Sequence, residues 1–113
     1  MSNTKPSTVI AEVSIVPIGT AGTSLSSYVA ACLSVLEKDR SVRHQLTPMG
    51  TIIEGRYSDV LRIITRMHEV PFKAGAARVV TTIKIDDRRD RDATMERKVK
   101  SVMSKRAAAR KAA

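Results

Sequence analysis

The chain predicts a small α+β sandwich in which two helices lie on one face of a four-stranded antiparallel sheet. Three observations carry that expectation. Residues 9–16, VIAEVSIV, alternate with period two; segments beginning near Ser24 and Ser58 carry apolar residues at helical spacing; and the stretches follow one another as β-α-β-β-α-β. That order is the ferredoxin-like split βαβ arrangement, here with an added C-terminal helix. At 113 residues there is room for one modest core, and with 3% aromatic residues it must be built from aliphatic side chains and Met.

In the first strand Val9, Ala11, Val13 and Ile15 share one face, while Ile10, Glu12, Ser14 and Val16 share the other. Pro17, Gly19 and Gly22 interrupt it. The first helix is expected from about Ser24, which would cap it, with Leu25, Val29, Cys32, Leu33 and Leu36 on its apolar stripe. The stretch VRHQLTPMGTIIEGRY reads as two strands joined through Pro48, Met49 and Gly50. Ser58 is expected to cap the second helix, whose stripe is Val60, Leu61, Ile64, Met67 and His68. Pro71 should kink or end it, and Gly75 should stop it. The last strand spans about Arg78–Asp86. A third helix, roughly 93–107, sets Met95, Val99, Val102 and Met103 on one side.

Turning each strand's more apolar face to the helices assigns the other face. Leu46, Ile53, Thr81, Ile83 and Ile85 go inside; Glu12, Ser14, Gln45, Thr47, Glu54, Thr82 and Lys84 go to the open face. Ile10, Val16, Ile52 and Val80 share that open face. A surface mixing aliphatics with two acids and a lysine is expected to be covered by a ligand, another subunit or both.

The formal net charge of +9 is unevenly distributed. Residues 1–87 hold ten Lys/Arg and eight Asp/Glu, whereas residues 88–113 hold ten Lys/Arg and three acids. Basicity is therefore a C-terminal property, and nucleic acid is not an expected partner except through the tail. RNA-recognition domains share this element order but stack bases on aromatic residues at the sheet centre. Here Glu12, Thr82 and Lys84 stand there instead.

Other chemistries find little support. GTAGTS at 19–24 has a glycine-bearing turn but neither a Walker lysine nor GxGxxG spacing. Asp86 and Asp87 point to opposite faces of a strand and precede Arg88 and Arg89, so self-neutralisation is expected rather than metal binding. His44 and His68 have neither a Cys partner nor HxxxH spacing, and His68 is expected as a satisfied core or interface residue. Two dispersed histidines make no hydrolase triad, and no catalytic residue is assigned. Cys32, the sole cysteine, is expected as a buried thiol. No segment approaches the ~20 apolar residues of a bilayer span, and MSNTKPS lacks a signal peptide's apolar core. A cytoplasmic protein without a membrane partner is expected.

The blocks AEVSIVPIGT, TSLSSYVAACLSVL, LTPMGTIIEG and HEVPFKAGAARVVTTIKIDDRRD closely resemble the small thiamine-binding protein family, relatives of the thiamine/hydroxymethylpyrimidine-binding domain. The resemblance covers residues 9–92. It implies a ferredoxin-like fold, a homo-oligomer (dimer or tetramer) built by pairing or packing sheets, and binding of thiamine or hydroxymethylpyrimidine without catalysis or a cofactor. An aminopyrimidine needs a carboxylate or carbonyl for its amino group, hydroxyl partners and an apolar wall. Glu12, Ser14, Ser24, Thr47, Met49, Thr51, Glu54, Thr82 and Lys84 are the candidate ligand-binding residues, with Lys84 expected to pair with one acid. The chain thus divides into a disordered N-terminus (1–8), a binding domain (9–104) and a basic tail (105–113). The alternatives are a structural or regulatory oligomeric module with no vitamin ligand, and nucleic-acid association through that tail.

Overall fold

A computed structural model describes residues 8–91 and 94–112. Its elements are β1 (Thr8–Ile18), α1 (Ser26–Glu37), β2 (Arg43–Thr47), β3 (Gly50–Arg56), α2 (Tyr57–Lys73), β4 (Arg78–Asp87) and α3 (Met95–Ala112). The sheet runs β2-β3-β1-β4 with every neighbouring pair antiparallel, so the ferredoxin-like expectation is met. The core lies between the sheet and the α1–α2 layer. Val9, Ala11, Val13 and Ile53 face Cys32, Leu36, Val60, Ile63, Ile64 and Met67. On α2, Ile63 is fully buried and Leu61 only partly, a shift of the expected stripe toward the β1–β3 side.

β1 is longer than its apolar alternation. It pairs with β3 only from Thr8 to Val13, and with β4 from Val9 to Ile18. Past Val13 it is an edge strand on the β3 side, which is why Pro17 fits: its missing N–H is not needed there. At the β2–β3 turn, a Cβ on Gly50 would lie 3.0 Å from the carbonyl oxygen of Val13, so a side chain there would press on β1 where the hairpin closes onto it.

Both expected serine caps are displaced. α1 begins at Ser26 with Leu25 as its cap, and α2 begins at Tyr57 with Arg56 as its cap; neither has a side-chain cap hydrogen bond. Ser58 is instead a first-turn residue. Pro71 does not end α2, which continues to Lys73 because a proline near the C-terminus deletes only one late hydrogen bond. Gly75 (φ +103°) then closes a Schellman motif: its amide donates to Phe72 at 3.1 Å and that of Ala76 donates to Pro71 at 3.0 Å. His68 is satisfied, with Nδ1 2.7 Å from Thr81 Oγ1 and its ring edge-on to Phe72.

Leu46, Ile83 and Ile85 occupy the helix side of the sheet, as the register requires, yet they are not buried. Two helices cover the central strands β1 and β3 and leave the edge strands β2 and β4 partly bare.

The third helix runs from Met95 to Ala112, longer than expected at its C-terminal end; its expected start at Ala93 lies outside the described residues. Thr94 caps it by accepting the Arg97 amide at 3.1 Å. The helix continues through residue 105, where the basic tail was expected to separate. Thr8 already belongs to β1, and residues 1–7 of the expected N-terminal segment lie outside the described residues.

Candidate functional site

A cleft of about 460 Å³ opens where β1 leaves β3. Its floor is the Val13–Val16 stretch of β1. One wall is α1, contributing Leu25, Val29, Cys32 and Leu33; the other is the Leu46–Thr51 hairpin turn; Met67 of α2 closes the inner end. Burial pushes the Cys32 thiol pKa up, so it enters the wall as an apolar group rather than a thiolate.

The cleft gathers four of the nine candidate residues: Ser14, Thr47, Met49 and Thr51. Thr47 is already committed. Its hydroxyl donates to the Gly50 carbonyl at 2.8 Å and accepts the Gly50 amide at 3.1 Å, fixing the turn. The hydroxyls of Ser14 and Thr51 carry no protein hydrogen bond among the described residues. Met49, 84% exposed, stands on the turn at the mouth. Ser24 lies in the loop just before the lining residue Leu25, and its hydroxyl is 3.1 Å from that of Ser26.

Glu12, Thr82 and Lys84 sit on the open face. Lys84 pairs with Glu12 at 3.8 Å across β1–β4, with side chains 80% and 42% exposed, so this is a surface pair. The Glu12 side chain lies beside the hairpin turn on that face, its Cγ 3.5 Å from where a Cβ on Gly50 would stand, and Glu12 does not line the cleft.

Glu54 does something else. Its side chain is only 6% exposed; Oε2 accepts from Arg43 at 3.0 Å and Oε1 accepts the Met95 amide at 2.8 Å. Arg43 also binds Glu96, and Lys98 binds Asp86. Glu54 is therefore the mooring of α3, whose N-terminal positive dipole end favours a carboxylate. It does not join Glu12 and Lys84. The exit loop neutralises itself in part: Arg89 pairs with Asp87 at 2.7 Å and Arg88 with Asp90 at 2.6 Å. Sequence reasoning missed Leu25, Val29, Leu33 and Met67 as cleft residues. Their helical spacing marked them as buried, and nothing local showed that β3 would stop short and leave a gap beside them.

The sequence profile of the Thiamine-binding protein family matches residues 11–103. The chain belongs to that family. Among its relatives, the UPF0045 protein YqgV of Bacillus subtilis is 49% identical over 96 residues, covering 82% of this chain and 92% of the relative. A UPF0045 protein of Methanothermobacter thermautotrophicus is 45% identical, covering 86% and 98%. The solved structure of hypothetical protein MJ1052 from Methanocaldococcus jannaschii superposes with a TM-score of 0.76 at 37% identity, covering 84% and 95%. A Thermotoga maritima protein described as a candidate for thiamine biosynthesis or salvage superposes with a TM-score of 0.69, covering 84% and 98%; at 18% identity that likeness establishes the fold. The family carries the name of a binding protein. Among the described residues no helix is long and apolar enough to cross a membrane.

Proposed function

We propose that the chain is a non-catalytic binder of thiamine or its hydroxymethylpyrimidine precursor in the cytoplasm, and that the cleft beside β1 is the site. The supporting observation is the cleft itself: an apolar slot that includes Thr51, whose hydroxyl has no protein partner among the described residues, in a chain of this family. A flat aminopyrimidine would lie between Leu25, Val29 and Leu33 on one side and Met49 on the other. Thr51 would serve its ring nitrogens and amino group. Pro17 offers no N–H to β4, and antiparallel alternation would turn the peptide of Ile15 the same way, toward the gap. Glu12, beside the Gly50 turn on the open face, would face the thiazolium cation of a thiamine that extends past the turn, a group hydroxymethylpyrimidine lacks.

The open face supports a second part of this reading, a homo-oligomer. Ile10, Val16, Ile52 and Val80 lie there beside Glu12 and Lys84, and Val80 is 45% exposed. Packing two such sheets would bury the aliphatics and desolvate the ion pair together.

Calorimetric titration with thiamine, thiamine phosphates and hydroxymethylpyrimidine, beside thermal unfolding, tests the site. A bound ligand raises the unfolding temperature by mass action. Thr51→Val should weaken both ligands, whereas Glu12→Gln should weaken thiamine alone. Absence of binding by every one of these compounds would sink the proposal.

A further inference from the structure

α3 is an arm rather than a layer. It is held to the sheet at its root, through Met95, Glu96 and Lys98, and every residue from Glu96 to Lys111 is exposed. Eighteen residues of helix reach about 27 Å, and the Cα radius of gyration is 17.0 Å where a compact chain of this length would show about 13 Å. The arm holds seven Lys/Arg and one acid, Glu96. Lys100, Lys105, Arg106, Arg110 and Lys111 have no ion-pair partner among the described residues. At its root a cleft of about 740 Å³ lies between α3 and the β4 exit loop, lined by Arg88, Arg91, Lys98, Lys100 and Lys105 with Asp86.

We propose that this arm and the cleft at its root bind the phosphodiester backbone of a nucleic-acid duplex without reading its sequence. The distribution of charge around α3 selects this partner. Helical spacing sets Lys100 and Lys111 on one flank and Lys105 on the other, while Arg106 and Arg110 interrupt the stripe begun by Val99 and Val102. A membrane-surface helix needs a continuous apolar face with bulky anchors, and this one is broken by arginines and has no aromatic residue. Cations on several sides suit a helix lying in a groove between two phosphate strands. Single strands are held largely by stacking on aromatic side chains, and neither α3 nor the cleft offers one. α3 also has no Asn or Gln for adenine edges, so contacts to phosphate dominate. Two such arms would repel each other, which argues against α3–α3 pairing.

The test is fluorescence anisotropy of the full chain with a labelled duplex of about two helical turns, titrated from about 50 to 200 mM salt. Five free cations predict a log–log salt slope of about −4.5, a loss of roughly 500-fold across that range. A second duplex of scrambled sequence should bind equally. The exposed fourfold variant Lys105→Gln/Arg106→Gln/Arg110→Gln/Lys111→Gln should unfold at the wild-type temperature, lose more than about 100-fold in affinity at low salt and flatten the slope toward about −1. Four results would each overturn the proposal: no duplex binding at low salt, undiminished binding by the fourfold variant, tighter binding to an oligothymidine of equal length, or tighter binding to phosphatidylserine vesicles. Displacement of the duplex by inorganic phosphate at constant ionic strength would likewise overturn it in favour of a small-anion site.

Discussion

The thiol of Cys32 donates to the carbonyl oxygen of Met67, Sγ to O 3.6 Å, in the buried contact between α1 and α2. That carbonyl is available because residue 71, which would return an amide to it in an uninterrupted helix, is proline. A small polarizable donor thus fills the place of a missing helix hydrogen bond, and the same two side chains form the inner end of the cleft. The pairing couples helix packing to the candidate site.

Cys32→Ala should therefore destabilise the fold by about 1–2 kcal/mol, through a small void and an unsatisfied carbonyl. In a Pro71→Ala background, where residue 71 can donate to Met67, the same substitution should cost about 0.5–1 kcal/mol less. Denaturant melts of the four chains measure the coupling. With its pKa raised by burial, the native thiol should react with an aromatic disulfide only after denaturation.

Glu54 is predicted to hold the root of α3 rather than a ligand. Glu54→Ala should cost about 2 kcal/mol and remove hydrogen-exchange protection from the Met95 amide, leaving the amides of β1 protected. Titration calorimetry on the same variant should show ligand affinity in the β1 cleft unchanged. Loss of that affinity would place Glu54 in the site instead.

Asp39 sets a pH dependence. Its carboxylate accepts from Arg62 at 2.7 Å and from the Ser41 hydroxyl and amide, which hold its pKa well below the usual carboxylate value of 3.8. A lowered folded pKa means the contribution is complete above the unfolded value and fades as pH falls through the folded one. Asp39→Asn should thus be less stable than wild type at neutral pH, and the gap should narrow only below about pH 4. Urea melts from neutral pH down to the acid limit check this. A constant gap throughout would contradict it.

Lys84→Met tests whether the open face is covered. In the isolated chain the Glu12–Lys84 pair is a surface pair, so its loss should cost no more than about 1 kcal/mol. At concentrations where sheets pack together the same change strands a desolvated acid, and the cost should rise to about 3–5 kcal/mol. Sedimentation and denaturation over a common concentration series read both. A species of 12.3 kDa at every concentration would remove the covered-sheet reading.

The sequence determined what depends on neighbours a few residues apart. Period-two alternation in 9–16 placed Val9, Ala11 and Val13 inside and Glu12 and Ser14 outside; helical spacing placed Leu36, Val60 and Met67 in the core; Gly75 ended α2. Each is decided by backbone periodicity or a single φ. The tertiary structure decided what depends on register and strand length. Glu12 and Glu54 share a face and look alike in sequence, yet Glu12 remains half-exposed beside Lys84. Glu54 is buried by an amide 41 residues away. The cleft exists because β3 pairs with β1 no further than Val13, and Cys32 finds Met67 because two helices 35 residues apart are laid on one sheet. Such meetings follow from long-range pairing, in which a one-residue shift would send every side chain to the other face. No local pattern encodes them.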